Sequence, residues 1–82
     1  MLEFICVLAL EHNCILICRS SKPPKLLQSY RNKVHITEWI KAHPPIRFLK
    51  IRLVKGDADM DEFRELKWWM YKNGVLNVKR SK

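Results

Sequence analysis

The chain has 82 residues and a net charge of +8, and 48% of its residues are hydrophobic. A chain of this length forms one small domain, and its apolar content excludes disorder over most of the length. No segment reaches the roughly 18 apolar residues that a membrane span needs, and the first residues lack the basic start of a signal peptide. We therefore predict a single domain over residues 1–82 with no membrane partner.

The positive charge is concentrated in the first two thirds of the chain. Residues 1–56 carry ten basic and three acidic side chains, whereas residues 57–82 carry six basic and five acidic ones. A basic surface favours polyanions, either nucleic acid or an acidic protein surface, although a solvated charged face has the same composition. Charge alone leaves these alternatives open.

Two apolar runs, residues 3–10 and 14–19, surround a short polar break and predict a β-hairpin within residues 1–20. The runs are nearly continuous rather than alternating, which indicates that both faces of the hairpin are covered. If the turn is the two residues 12–13, Val7 lies opposite Cys18 in the hairpin.

All three cysteines, Cys6, Cys14 and Cys18, lie in this hairpin. An odd number of cysteines in an apolar segment favours buried, reduced thiols, and thus an intracellular reducing compartment. Their spacing is not that of a zinc site, so we predict neither a metal nor another cofactor.

Two short helices are predicted over residues 23–43. The prolines at 23–24 suit the first turn of a helix that continues over residues 25–30. Thr37 is a good N-cap for a second helix over residues 38–43, which the following pair of prolines ends.

Residues 46–54 predict a third strand, in which the alternation changes phase between Phe48 and Leu49. Either a bulge or a strand buried on both faces explains this change.

A longer helix is predicted over residues 59–73. Either Asp57 or Asp59 can cap it, and Asp59 with Glu62 resembles a capping box. Gly74 follows as a stop signal. The apolar residues that we expect this helix to bury are Met60, Phe63, Leu66, Trp69 and Met70.

These elements follow one another in the order β-β-α-α-β-α, and residues 79–82 form a basic tail. The order predicts an α/β (α+β) fold with a small three-stranded antiparallel sheet flanked by helices.

Basic and aromatic side chains are the candidate binding residues. Cations that share a face can neutralise phosphates, and exposed rings can stack on bases or enter a partner's pocket. For Trp68 and Tyr71, the predicted partner-binding residues, cover of the core is the competing interpretation. The predicted phosphate contacts are Lys22, Lys25, Arg31 and Lys33.

The chain resembles the GIY-YIG nuclease family over about residues 4–79. Residues 5–7 and 16–18 lie where that family has its two signature triplets, with matching spacing between them. Residues 37–46 resemble a Trp-Thr-Lys…Pro-Ile segment, and residues 71–78 a closing Tyr-Gly-Ile-x-Asn-Val, of small members that include those of large DNA viruses.

The resemblance implies the family's fold without its chemistry. Cys6 and Leu16 replace the tyrosines of the two triplets, and Cys18 replaces a glycine. The family's arginine and metal-holding glutamate correspond to the regions 25–26 and 67–68. An aliphatic side chain cannot transfer a proton, and tryptophan cannot hold a hard metal ion.

We therefore predict a non-catalytic, GIY-YIG-like basic module that contacts nucleic acid, DNA or RNA, and has no small-molecule substrate. One alternative is a small structural subunit of a larger assembly, such as a virion or a ribonucleoprotein particle. A second alternative is a residual metal-dependent nuclease that uses Glu65 and His35.

Overall fold

A computed structural model describes residues 2–32 and 36–81, and it confirms the predicted α+β class. Lys33 and His35 lie outside the described residues. In chain order the helices and strands are β1 (Phe4–Leu10), β2 (Cys14–Ser20), α1 (Pro23–Arg31), α2 (Glu38–Ala42), β3 (Pro45–Leu53), α3 (Ala58–Asn73) and β4 (Val78–Arg80).

The strands form one mixed sheet in the order β3-β1-β2-β4. β1 pairs antiparallel with both β2 and β3, whereas β4 pairs in parallel with β2. The predicted three-stranded antiparallel sheet was therefore incomplete, and Lys79 and Arg80 belong to β4 rather than to a tail. A strand of three residues is too short to give an alternating pattern, but Val78 is buried at its start, opposite Ile15 of β2.

The hairpin turn has three residues rather than two. Glu11–Asn13 form a 3₁₀ turn in which two residues have positive φ angles of 67° and 60°. Leu10 therefore lies opposite Cys14 and Cys6 opposite Cys18, so the predicted register was wrong by one residue. The longer turn keeps its acidic residue in solvent while Leu10 and Cys14 are buried.

β3 contains a bulge, which is one of the two explanations that the phase change left open. Val7 lies opposite Lys50 and Leu8 opposite Phe48, so Leu49 is an extra residue in the ladder. β3 is an edge strand of the sheet, and bulges are common in such strands because they bend the edge and interrupt pairing with other chains.

The central hairpin is buried on both faces, as its continuous apolar runs predicted. The face covered by α1 and α2 buries Cys6, Leu8, Leu10, Cys14, Leu16 and Cys18. The face covered by α3 buries Ile5, Val7, Ile15 and Ile17.

The ends of two helices follow local capping rules. Thr37 Oγ1 accepts a hydrogen bond from the Ile40 N–H at 3.3 Å and caps α2, as predicted. Asp57 Oδ1 accepts one from the Met60 N–H at 3.1 Å and caps α3. α3 ends at Asn73, and the Gly74 that follows has a φ of 95°, which a glycine adopts without a Cβ clash.

Candidate functional site

The cations predicted as phosphate contacts do not share one surface. Lys22 and Lys25 are exposed at the start of α1. Arg31 lies at its end, where Nη2 donates a hydrogen bond to the Ile46 carbonyl at 3.0 Å. At about 100° per residue, Lys25 and Arg31 lie roughly 120° apart around the axis of α1. Since Lys33 is outside the described residues, the structure brings together only Lys22 and Lys25.

α3 is rotated about its axis relative to the predicted orientation. Leu66, Trp69 and Met70 pack against the sheet as predicted. Met60 and Phe63, which we expected to be buried as well, are exposed instead. Carboxylate side chains occupy the positions facing the sheet that these two residues would have filled.

Three carboxylates of α3 face the sheet and are buried. Asp61, Glu62 and Glu65 are 6%, 2% and 6% exposed. Burial of a charge is unfavourable unless the charge is paired and hydrogen-bonded, and here each carboxylate meets an arginine from a strand. The predicted capping box of Asp59 and Glu62 is therefore wrong, because Glu62 contacts the sheet instead of the start of the helix.

Arg52 of β3 neutralises two of these carboxylates. Its Nη1 and Nη2 each donate a hydrogen bond of 2.8 Å to Asp61, and its Nε donates one of 3.0 Å to Glu65 Oε1. Glu65 Oε2 accepts hydrogen bonds from Trp69 Nε1 at 2.9 Å and Lys50 Nζ at 3.4 Å. In the described part of the chain, every buried side-chain nitrogen and oxygen has a hydrogen-bond partner.

Glu62 is neutralised by arginines from two other strands. Arg19 Nε of β2 lies 3.4 Å and Arg80 Nη1 of β4 lies 3.5 Å from Glu62 Oε1. Arg19 also donates a hydrogen bond of 2.8 Å to Asp59. The arginines on the sheet face under α3 thus neutralise the carboxylates that the helix buries there.

These contacts shift the pKa values of the network. Hydrogen bonds from Arg52, followed by one from the Lys55 backbone N–H, lower the pKa of Asp61. Burial raises the pKa of Glu65, but hydrogen bonds from Trp69 and Arg52 and nearby positive charge outweigh it, so the net shift is downward. The hydrogen bonds to Asp61 raise the pKa of Arg52. All these groups are therefore charged at neutral pH.

We expect the folded state to lose stability as the pH falls below about 4, the ordinary carboxyl pKa. Because folding lowers the pKa of Asp61 and Glu65, their contribution to stability is complete above that pH and is lost as they become protonated. Urea unfolding between pH 6 and pH 2 measures the effect. An Asp61→Asn variant should show a shallower decline, and an equally steep decline in both proteins would contradict this assignment.

The outer face of α3, defined by Phe63, Arg64, Lys67, Trp68, Tyr71 and Lys72, alternates cations with aromatic rings. These residues lie within roughly half of the helix circumference and all are exposed. Trp68 and Tyr71, the two predicted partner-binding residues, are 52% and 85% exposed. Lys67 Nζ lies 5.5 Å from the centre of the Phe63 ring, and Lys72 Nζ lies 5.5 Å from that of Trp68. The face combines positive charge with accessible ring surface.

A cavity of about 350 Å³ opens where this outer face meets β3, and we call it the Arg64 pocket. Among the described residues, Lys55 and Arg64 form no salt bridge through their side chains, whereas Arg52 is saturated by carboxylates. The pocket therefore has excess positive charge. Its lining residues are Lys50, Arg52, Lys55, Asp61, Arg64, Glu65 and Trp68.

The positions that correspond to the nuclease signature are buried in the sheet. Cys6, Leu16 and Cys18 pack in the core under α1 and α2. A hydrogen bond with Cys6, together with burial, raises the pKa of the Cys18 thiol far above its ordinary range. Both oxygens of Glu65 accept hydrogen bonds, and His35 is outside the described residues. In residues 2–32 and 36–81, no cluster of three or more His, Cys, Asp or Glu side chains could hold a metal ion.

The cations of α3 were not among the predicted binding residues. In the sequence, Arg64, Lys67 and Lys72 lie beside acidic residues, so residues 57–82 are nearly neutral by composition. One signal was available, because Arg52 alternates with Lys50 on a strand, and an arginine on the buried face of a strand requires a carboxylate opposite it. Applied to this chain, that requirement predicts that the acidic side of α3 faces the sheet and that its basic side faces solvent.

Within residues 2–32 and 36–81, none of the helices has the length and apolar composition that a bilayer span requires. Comparison with known proteins gives no family assignment: no family model, no curated protein and no solved structure matches the chain.

Proposed function

We propose that this protein is a non-catalytic basic binding module that contacts nucleic acid through the outer face of α3. The separation of charge on this helix carries the proposal. From Met60 onward, every carboxylate of α3 is buried against an arginine of the sheet, whereas Arg64, Lys67 and Lys72 are exposed. A helix of balanced composition therefore presents an outer surface that is positive.

The chemistry of this face suits a polyanion that carries flat rings. Lysine and arginine neutralise phosphates and release the counterions that surround them. Exposed tryptophan and tyrosine rings provide stacking surfaces for bases, independent of sequence. This combination favours nucleic acid over an acidic protein, because nucleic acid supplies both the phosphates and the flat bases in one ligand. The proposed phosphate contacts are therefore the cations of α3 and no longer those of α1.

The non-catalytic part of the proposal rests on the buried signature positions. Leu16 carries no group that could activate water, and the Cys6 thiol is buried in the packed core away from solvent. Glu65 is held by three donors, and a carboxylate bound in this way is a poor ligand for a divalent cation. Descent from a GIY-YIG-like nuclease remains part of the proposal through the segments that resemble that family.

Salt dependence of oligonucleotide binding tests the proposal. If Lys55, Arg64, Lys67 and Lys72 each neutralise one phosphate of a single strand, raising salt from about 50 to about 200 mM should weaken binding roughly 50-fold. Fluorescence anisotropy with a labelled oligonucleotide measures this. The proposal is wrong if no binding is detected at the lower salt concentration.

A pair of charge-matched variants locates the contact surface. Replacing Arg64, Lys67 and Lys72 by glutamine should weaken binding at least 10-fold and reduce the log–log salt slope by about 2. The same replacement of Lys22, Lys25 and Arg31 removes an equal charge from α1 and should change the affinity by less than about threefold, since it affects only long-range attraction. A larger loss from the α1 variant would overturn the assignment to α3.

A structural subunit is the second candidate, and the edge strand β3 favours it. Ile46, Ile51 and Leu53 are exposed on this strand, and Arg47 and Lys50 beside them are basic. Such an edge could pair with an extended acidic segment of a larger protein. Polyglutamate separates the candidates: if it competes as well as nucleic acid of equal charge, the protein-binding role is favoured.

A further inference from the structure

We propose that the Arg64 pocket is a nucleotide subsite for a single strand, in which the pocket cations hold a phosphate while the Trp68 ring stacks on the adjoining base. This inference rests on the proposed function, because it assigns a particular ligand geometry to one end of the outer face of α3.

The pocket's charge suits a phosphate group. Lys55 and Arg64 lie on its wall with no salt bridge among the described residues, whereas Asp61 and Glu65 at its base are already neutralised by Arg52. A phosphate entering the pocket therefore meets the Lys55 ammonium and the Arg64 guanidinium without displacing an internal ion pair, since Arg64 makes only a hydrogen bond of 3.4 Å from Nε to the Met60 carbonyl among the described residues. Its cavity of about 350 Å³ is large enough for a nucleotide's phosphate and sugar.

The Trp68 ring is held in place beside those cations. It makes an edge-to-face contact with Trp69, with ring centres 4.9 Å apart and planes at 78°. Trp69 is itself fixed by the hydrogen bond from Nε1 to Glu65 Oε2 at 2.9 Å. The Trp68 ring is thus preorganised, yet it remains 52% exposed, so a base can stack on it with little loss of side-chain entropy.

The geometry selects a single strand over a duplex. In a duplex each base is stacked between its neighbours, and stacking on a protein ring requires that the base first be unstacked and unpaired, which is unfavourable. In a single strand the base can turn toward the ring while its phosphate remains in the pocket. Duplex DNA would therefore use only the cations of the outer face.

The test compares the wild-type protein with Trp68→Leu on a single strand and on the corresponding duplex. We expect the variant to bind the single strand roughly 5- to 150-fold more weakly, as expected for loss of one stacked base. Its affinity for the duplex should change by less than about twofold, because the charge is unaltered. Leu76→Ala truncates an exposed apolar side chain outside the outer face of α3 and should leave the single-strand affinity unchanged.

A second oligonucleotide separates stacking from a general effect on the helix. A strand that lacks one base, at the position nearest the pocket, should bind wild-type protein no better than the intact strand binds Trp68→Leu. Trp68→Phe should recover part of the affinity, and it replaces the leucine variant if thermal unfolding shows that the latter is not folded. Lys55→Gln should reduce the single-strand salt slope by about 0.7.

Each outcome has a distinct meaning. Salt-dependent binding that Trp68→Leu leaves unchanged, or weakens equally for single strand and duplex, overturns the subsite while the proposed function stands. Absence of any nucleic-acid binding overturns both. Selective loss on the single strand supports the subsite.

Discussion

Arg52→Ala is expected to lower the free energy of unfolding by about 3 kcal/mol. The substitution leaves the carboxylates of Asp61 and Glu65 without their main cationic partner while both remain buried. Uncompensated buried charges cost about 3–5 kcal/mol, and the lower value applies because the Arg64 pocket admits water to one side of the pair. For a chain of this length, whose total stability is roughly 4–12 kcal/mol, the loss is severe.

Urea unfolding followed by circular dichroism measures the change, and Arg47→Ala is the matched control. Arg47 lies on the same strand and the same face as Arg52 but is exposed, so its loss should cost less than about 0.5 kcal/mol. Arg52→Lys keeps a cation but cannot donate two parallel hydrogen bonds to Asp61, and an intermediate loss is expected. Equal stabilities of the two alanine variants would show that the network is not a stabilising feature of the fold.

Leu16→Ala is expected to destabilise the protein by a similar amount, about 3 kcal/mol. Leu16 is 1% exposed at the centre of the cluster between the sheet and helices α1 and α2. Its truncation removes buried methyl groups and leaves a cavity that the paired strands cannot close, since β2 is held by β1 on one side and β4 on the other.

Leu76→Ala makes the identical chemical change at a residue that is 86% exposed. Its stability should remain within about 0.5 kcal/mol of the wild-type value. The difference in urea midpoint between the two variants therefore isolates the contribution of burial. A difference below about 1 kcal/mol would mean that the position of the resembled family's second tyrosine is not part of a packed core.

Local signals predicted much of the fold. Continuous apolar runs around a polar break predicted the hairpin, and the phase change between Phe48 and Leu49 indicated either the bulge that β3 contains or a strand buried on both faces. Thr37 and Gly74 mark a helix start and a helix end because their preferences depend on the adjacent backbone alone.

The candidate site was predicted less well, for a reason seen on α3. Trp68 and Tyr71 were singled out by residue type, and both are exposed. The cations beside them were not, because hydrophobic periodicity assigns charged residues to the solvent side of a helix. Asp61 and Glu65 break that rule, since their partner Arg52 comes from a different element.

The amino-acid sequence by itself determined the α+β class, the doubly covered hairpin and the net positive charge, since each depends on composition or on neighbours along the chain. Only the tertiary structure decided the register of the hairpin, the parallel fourth strand and the rotation of α3. These depend on contacts between distant residues, above all the pairing of strand arginines with helix carboxylates. That pairing determines which charges remain on the surface, and hence which face can bind a polyanion.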